Sequence, residues 1–136
     1  MAKKKNTLIW VVVGLVVLAL IAGSGLAAIF FISKQFTARR GAAYDAVAKS
    51  TLRNAVSAAE IYATDHDGSY SGMNAAALSE IEPSIEFTDG APDENVVSVD
   101  ASADSYSLAV SSKGGKVLKA TMKAGQGVVF DDGAKD

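Results

Sequence analysis

The alternation of apolar and polar positions divides the chain into three stretches. Residues 1–7 form a basic tip, Leu8 to Ile32 carries no charged residue, and residues 33–136 mix the two kinds throughout. A helix over the apolar run would extend about 37 Å, against a hydrocarbon core of about 30 Å, so the run predicts a transmembrane span with room for tilt. Lys3, Lys4 and Lys5 precede it, and Lys34, Arg39 and Arg40 follow. With the amino terminus counted, the basic flanks lean towards a single pass of the cytoplasmic membrane, N-terminus inside and the remainder extracytoplasmic. The competing expectation is a cleaved signal peptide, cut at Gly23-Ser24-Gly25 or Gly25-Leu26-Ala27. Ala28-Ile29-Phe30-Phe31-Ile32 carries the apolar run past both places and favours a retained span.

Beyond the run the pattern becomes periodic. At 100° per residue Tyr44, Ala48, Thr51, Leu52, Ala55, Val56, Ala59, Tyr62 and Ala63 share one side of a helix, with Ala46, Lys49, Arg53 and Glu60 opposite. Asp45 and Lys49 stand at the i,i+4 spacing of a helical ion pair. The apolar side is mostly alanine, so a sheet can approach it closely, and Leu52, Val56, Ala59 and Tyr62 are the residues expected to hold that sheet. Asp65-His66-Asp67-Gly68 ends the helix, with Gly68 supplying the left-handed backbone. A short helix opens at Met73 or Asn74 and runs to Glu80, and Pro83 closes it. Glu80 to Asp104 holds Glu80, Glu82, Glu86, Asp89, Asp93, Glu94, Asp100 and Asp104 and no base, which reads mainly as loop.

The last third alternates with period two. Val97, Val99 and Ala101, then Tyr106, Leu108 and Val110, then Leu118, Ala120 and Met122 point to one face. Gly114-Gly115 predicts a two-residue hairpin turn, and Val128 to Phe130 a last short strand. The expected fold is α+β: a long N-terminal helix, half membrane-spanning and half amphipathic, packed against a head of three or four antiparallel strands.

Composition narrows the function. There are 13 basic and 15 acidic side chains, one histidine and no cysteine. Disulfides, thiolate metal sites and cysteine nucleophiles are therefore excluded. Asp65-His66-Asp67-Gly68-Ser69 lacks the acids of a calcium loop, because Ala63 and Asn74 stand where they are needed. Lone His66 reads as an exposed loop residue, and Ser-Lys-Gly-Gly-Lys at 112–116 lacks phosphate-loop spacing. No catalytic, cofactor or metal residues are expected, and the chain is not read as an enzyme. Lys113, Lys116, Lys119 and Lys123 make a basic hairpin. Protection of a strand edge is its first reading, contact with the acidic stretch of the same or another copy a further one, and DNA a weakly supported partner.

One resemblance covers nearly the whole chain. The order basic tip, apolar helix, Gln35-Phe36, Ala43-Tyr44-Asp45-Ala46, Ala48-Lys49-Ser50, Leu52-Arg53-Asn54-Ala55, Ala59-Glu60, Tyr62, Asp65 and Asp67-Gly68-Ser69-Tyr70, followed by strands, resembles the type IV pilin and pseudopilin superfamily. The resemblance implies a long curved helix, a four-stranded antiparallel head, and a structural subunit of a pilus or secretion filament, with its own kind and assembly machinery as partners. Three departures stand against it. Thr7-Leu8-Ile9 is present, but Lys5 stands where the family's processing glycine would be and Trp10 where its glutamate would be. The proline that often lies near the end of the apolar helix is missing too. Two expectations follow: a filament subunit or minor component that assembles through Leu8, Ile9, Val13, Ala19, Gly23 and Ala27, or a permanent membrane tether that displays its head and never polymerises. Ala19, Gly23 and Ala27, four apart, would form a face for close helix packing.

Overall fold

The computed structural model describes residues 2–133, with side-chain detail for 6–21 and 36–133. The chain forms two compact units, Met1–Arg39 and Arg40–Asp136. Helical backbone runs over Ala2–Asp65, here α1, and contributes to both.

In the first unit the large apolar side chains of α1 that are described are exposed. Leu8, Trp10, Leu15, Leu18, Leu20 and Ile21 are each more than 60% exposed. No helix among the described residues is long and apolar enough to cross a membrane, and the side chains of 22–35 lie outside those described.

In the second unit α1 is followed by α2 (Ala75–Ile81), β1 (Glu86–Thr88), β2 (Val96–Ala101), β3 (Ser105–Ser111), β4 (Val117–Lys123) and β5 (Gly127–Asp131). The fold is α+β. Its five strands lie in chain order in one sheet, with β1 parallel to β2 and every other neighbour antiparallel. This corrects the expected antiparallel head of three or four strands. β1 falls within the acidic stretch read as loop, and its three residues are too few to show an alternation. The return 89–95 is tight, and Asn95 takes φ +61° to turn into β2.

The core forms where the alanine-lined side of α1 meets the inner face of the sheet. Ala48, Leu52, Ala55, Ala59, Tyr62 and Ala63 cluster with Val97, Val99, Leu108, Val110, Leu118 and Ala120. Leu52 is 1% exposed and Ala59 fully buried, whereas Val56 is only partly buried and Ala58 is buried in its place. The buried arc is therefore turned towards Ala58, on a core that α2 widens with Ala75 and Leu78.

Chain ends and turns follow local chemistry. The α1 terminus closes through Gly68 N–H to Ala63 O at 2.7 Å, with Asp67 and Gly68 both at positive φ. Asn74 caps α2 by accepting from Ala77 N–H at 2.9 Å, and Asp89 accepts from Ala75 N–H at 2.8 Å. At Gly72, φ is +79° and an added Cβ would press on the Tyr62 hydroxyl.

Candidate functional site

The residues singled out for assembly show an unusual surface. Ile9 and Val13 are 58% and 46% exposed, although the helix around them is apolar on every side. A helix that is hydrophobic all round is found buried in lipid or in protein. Ala19 is exposed, and Gly23 and Ala27 lie outside the described side chains.

The seam between α1 and the sheet carries a polar pin of which the helical wheel gives no sign. Glu60 was expected to face solvent opposite the apolar stripe. The residue is exposed as expected, yet its carboxylate accepts from Tyr106 Oη at 2.9 Å and from Tyr70 Oη at 3.1 Å. A glutamate side chain is long enough to bend back over the edge of its own helix, which a wheel of Cα positions cannot register. The two tyrosine rings meet edge to face, centroids 4.8 Å apart. Burial first, and then the adjacent Glu60 charge, pushes the Tyr70 hydroxyl up to about 12 and the Tyr106 hydroxyl higher still. Tyr62 meanwhile donates to Ser71 O at 2.9 Å, and His66 stacks on its ring at 3.9 Å. His66 is exposed.

The lysine hairpin separates into two pairs. Its turn is built differently from the expected two-residue type. Gly115 N–H donates to Ser112 O at 2.9 Å, Ser112 N–H to Lys116 O at 2.8 Å, and Gly115 sits at φ +86°. That is a three-residue loop closed by a left-handed glycine. The loop lies against the first turn of α1 in this unit. Ser112 Oγ donates to Asp45 Oδ1 at 2.6 Å and Lys116 Nζ pairs with Asp45 Oδ2 at 3.2 Å, while Lys113 Nζ sits 5.4 Å over the Tyr44 ring. The Ser112 hydrogen bond, aided by Lys116 and opposed by desolvation, lowers the Asp45 carboxyl below its ordinary value. An added Cβ on Gly114 would lie 3.7 Å from Gly41 Cα, so two glycines permit the approach. The expected Asp45–Lys49 pair is absent because Lys49 Nζ instead reaches Asp132 Oδ2 at 2.8 Å.

Lys119 and Lys123 point to the opposite face of the sheet. With Thr121, Gln126, Gly127, Val129 and Asp131 they line a depression of about 290 Å³. A second, of about 220 Å³, shares Thr121 and Lys123 and is bordered by Asp100, Ser102, Ser105 and Ser107. Neither encloses a ligand-sized space rich in apolar walls. Among the described residues no group of three or more His, Asp or Glu is arranged to hold a metal ion.

Sequence reasoning missed the Glu60–Tyr70–Tyr106 pin and the Asp45–Ser112–Lys116 cluster. Spacing gives no sign of either, since each joins residues far apart in the chain. No protein-family model, curated protein or solved structure matches this chain.

Proposed function

We propose that the chain is a membrane-anchored, pilin-like structural subunit of an envelope filament, inserted through residues 8–32 with its head outside the cytoplasm. The observation that carries this reading is the helical stretch Leu8–Ile21, whose large apolar side chains are all exposed. At about 25 cal/mol per Å² of apolar surface, leaving it in water is costly, and lipid or neighbouring copies relieve that cost. The charge-free continuation to Ile32 supplies the remaining length of a span. An alanine-lined helix under a small sheet supports the pilin-like part of the reading. Fractionation tests the anchor: the full chain is expected in the membrane pellet after an alkaline carbonate wash and in solution only after detergent. Recovery in the wash would overturn it.

The tether that never polymerises is favoured by one specific observation. Trp10, 74% exposed, occupies the place where the resemblance implies a carboxylate. That carboxylate is what would draw one subunit's helix against another's amino terminus, and an indole offers no such charge. Mass spectrometry of the mature N-terminus separates the two readings. Cleavage near Lys5 or Asn6 supports filament entry, and an intact start at Met1 or Ala2 supports the tether.

A further inference from the structure

The two edges of the sheet are finished differently. Beside β1 lies α2, tied to the following loop by the Asp89–Ala75 hydrogen bond. No strand pairs with the outer side of β5 among the described residues. That strand bears neither Lys nor Pro, the residues that commonly blunt such edges, and Val129 and Phe130 are 60% and 39% exposed. Next to it, register sets Lys119 opposite Asp131, but Lys123 opposite Gly127. The missing side chain leaves Lys123 without a cross-strand acid and opens the 290 Å³ depression beneath it. Among the described residues the ion pairs are Lys49–Asp132 and Lys116–Asp45, so neither Lys119 nor Lys123 is in one.

The other flank has the opposite charge. Glu80 and Glu86 are exposed on α2 and β1, with Glu82 and Asp89 beside them, and none of these acids is in an ion pair among the described residues. Four inter-strand steps, about 19 Å at 4.8 Å each, separate β1 from β5, so one head cannot join its own flanks. A neighbour in the same orientation can.

We propose that the β5 flank, with Lys119 and Lys123, docks the acidic α2–β1 flank, with Glu80 and Glu86, of a second copy of the chain. The contact rests on the assembly reading above for its role, since it names how heads meet when their helices share a membrane. It is heterologous, so it propagates as a row and does not close into a pair. A two-fold β5-to-β5 pairing would instead be isologous and close into a dimer. Residues 40–136 hold all 15 acids and eight of the 13 bases, so heads repel at a distance. That repulsion is screened beyond about 8 Å at physiological ionic strength, and pairs in contact are screened far less.

The full chain in detergent micelles, coupled with a zero-length carbodiimide at low salt, tests the contact. The expected result is a ladder of oligomers whose isotopically distinguished peptides join Lys119 or Lys123 of one copy to Glu80 or Glu86 of another. Reversing both lysines (K119E with K123E) should reduce the ladder about tenfold, as expected for the loss of about 1.4 kcal/mol of contact. Mixing that variant with E80K/E86K should restore it. Monomers only, a ladder indifferent to the reversals, or links confined to Lys3–Lys5 would overturn the proposal. So would disulfide dimers of V129C alone, which report the closed pairing in a chain with no native cysteine. A chain that sediments with membranes but yields only monomers removes this contact and leaves the anchor standing. A chain that stays in solution yet gives Lys123-to-Glu86 links supports the contact and removes the anchor.

Discussion

Residues 8–21 and 48–63 share helical backbone and differ in everything their side chains meet. The first stretch is apolar without a period and exposes nearly all of it; the second is less apolar, yet buries Ala48, Leu52, Ala55, Ala59 and Tyr62. Helical propensity does not account for this, since the exposed stretch is rich in Val and Ile and includes Gly14, the buried one is rich in Ala, and both are helical. What separates them is spacing: apolar residues three and four apart make a stripe that one sheet can cover, whereas an all-round apolar surface needs a surrounding solvent of the same kind. Burial in this chain therefore follows pattern, and among the described residues the more hydrophobic stretch is the one left exposed.

The strongest way to break the comparison is to put a charge into each stretch in turn. Leu52→Asp sets a carboxylate under the sheet at a site 1% exposed, and the head is expected to lose its cooperative thermal transition. Even the milder Leu52→Ala should cost about 2–5 kcal/mol. Val13→Arg should leave head melting within about 0.5 kcal/mol of the parent, because no core holds that side chain. Its effect belongs to the membrane, where an arginine costs about 2.5–3.5 kcal/mol at the centre of a span and less at Val13, nearer its N-terminal end, and it should be read as material lost from the detergent-extractable fraction. Equal effects of the two charges on melting would erase the distinction.

The same contrast explains what was legible in the sequence. The amphipathic stretch, β2 to β4 and a short helix opening at Met73 or Asn74 could be read because each has a local period or local chemistry. β1 could not, since Glu86-Phe87-Thr88 offers a single apolar residue and is held by its register with Val96 to Ser98. Of the site residues, Leu52, Ala59 and Tyr62 follow from the helical wheel. Lys113 and Lys116 look equivalent to Lys119 and Lys123 in the sequence, yet the three-residue turn directs the first pair to α1 while the strand pleat directs the second to the outer face. Glu60 was hidden for a different reason: its role depends on the reach of a side chain and on Tyr106, 46 positions away.

The seam gives the next largest expected effect. Tyr106→Phe keeps the ring and removes one hydrogen bond to a carboxylate, at an expected cost of about 1.5–2 kcal/mol in denaturant unfolding. Its pH dependence sharpens this. Both tyrosine hydroxyls are raised in the folded head, so their contribution is fully present below the unfolded value of 10.0 and is lost as pH rises towards and past about 12. Between those values the unfolded chain ionises first, and stability should fall more steeply in the parent than in Tyr70→Phe or Tyr106→Phe. Tyrosinate absorbance that rises in parallel for all tyrosines of the folded head would contradict the pin.

Asp45 gives the smallest effect and the opposite sign. Ser112 and Lys116 both stabilise its charged form, lowering its folded value below 3.8. Its contribution is therefore present above about pH 3.8 and lost as pH falls through the lowered value, because the unfolded chain takes up the proton first. Asp45→Asn keeps the shape and can still accept from Ser112, but it gives up the charge that Lys116 faces. At neutral pH the variant should lie about 1 kcal/mol or less below the parent, as expected for a pair only partly shielded from water. On acidification the two melting curves should converge, since the parent loses what the variant never had. Other carboxylates titrate in the same range, so the difference between the two proteins carries the result, not the slope of either. Curves that stay parallel from pH 7 to pH 2.5 would mean that the hairpin rests on α1 through Gly41, Gly114 and the Lys113–Tyr44 contact alone, with the carboxylate a bystander.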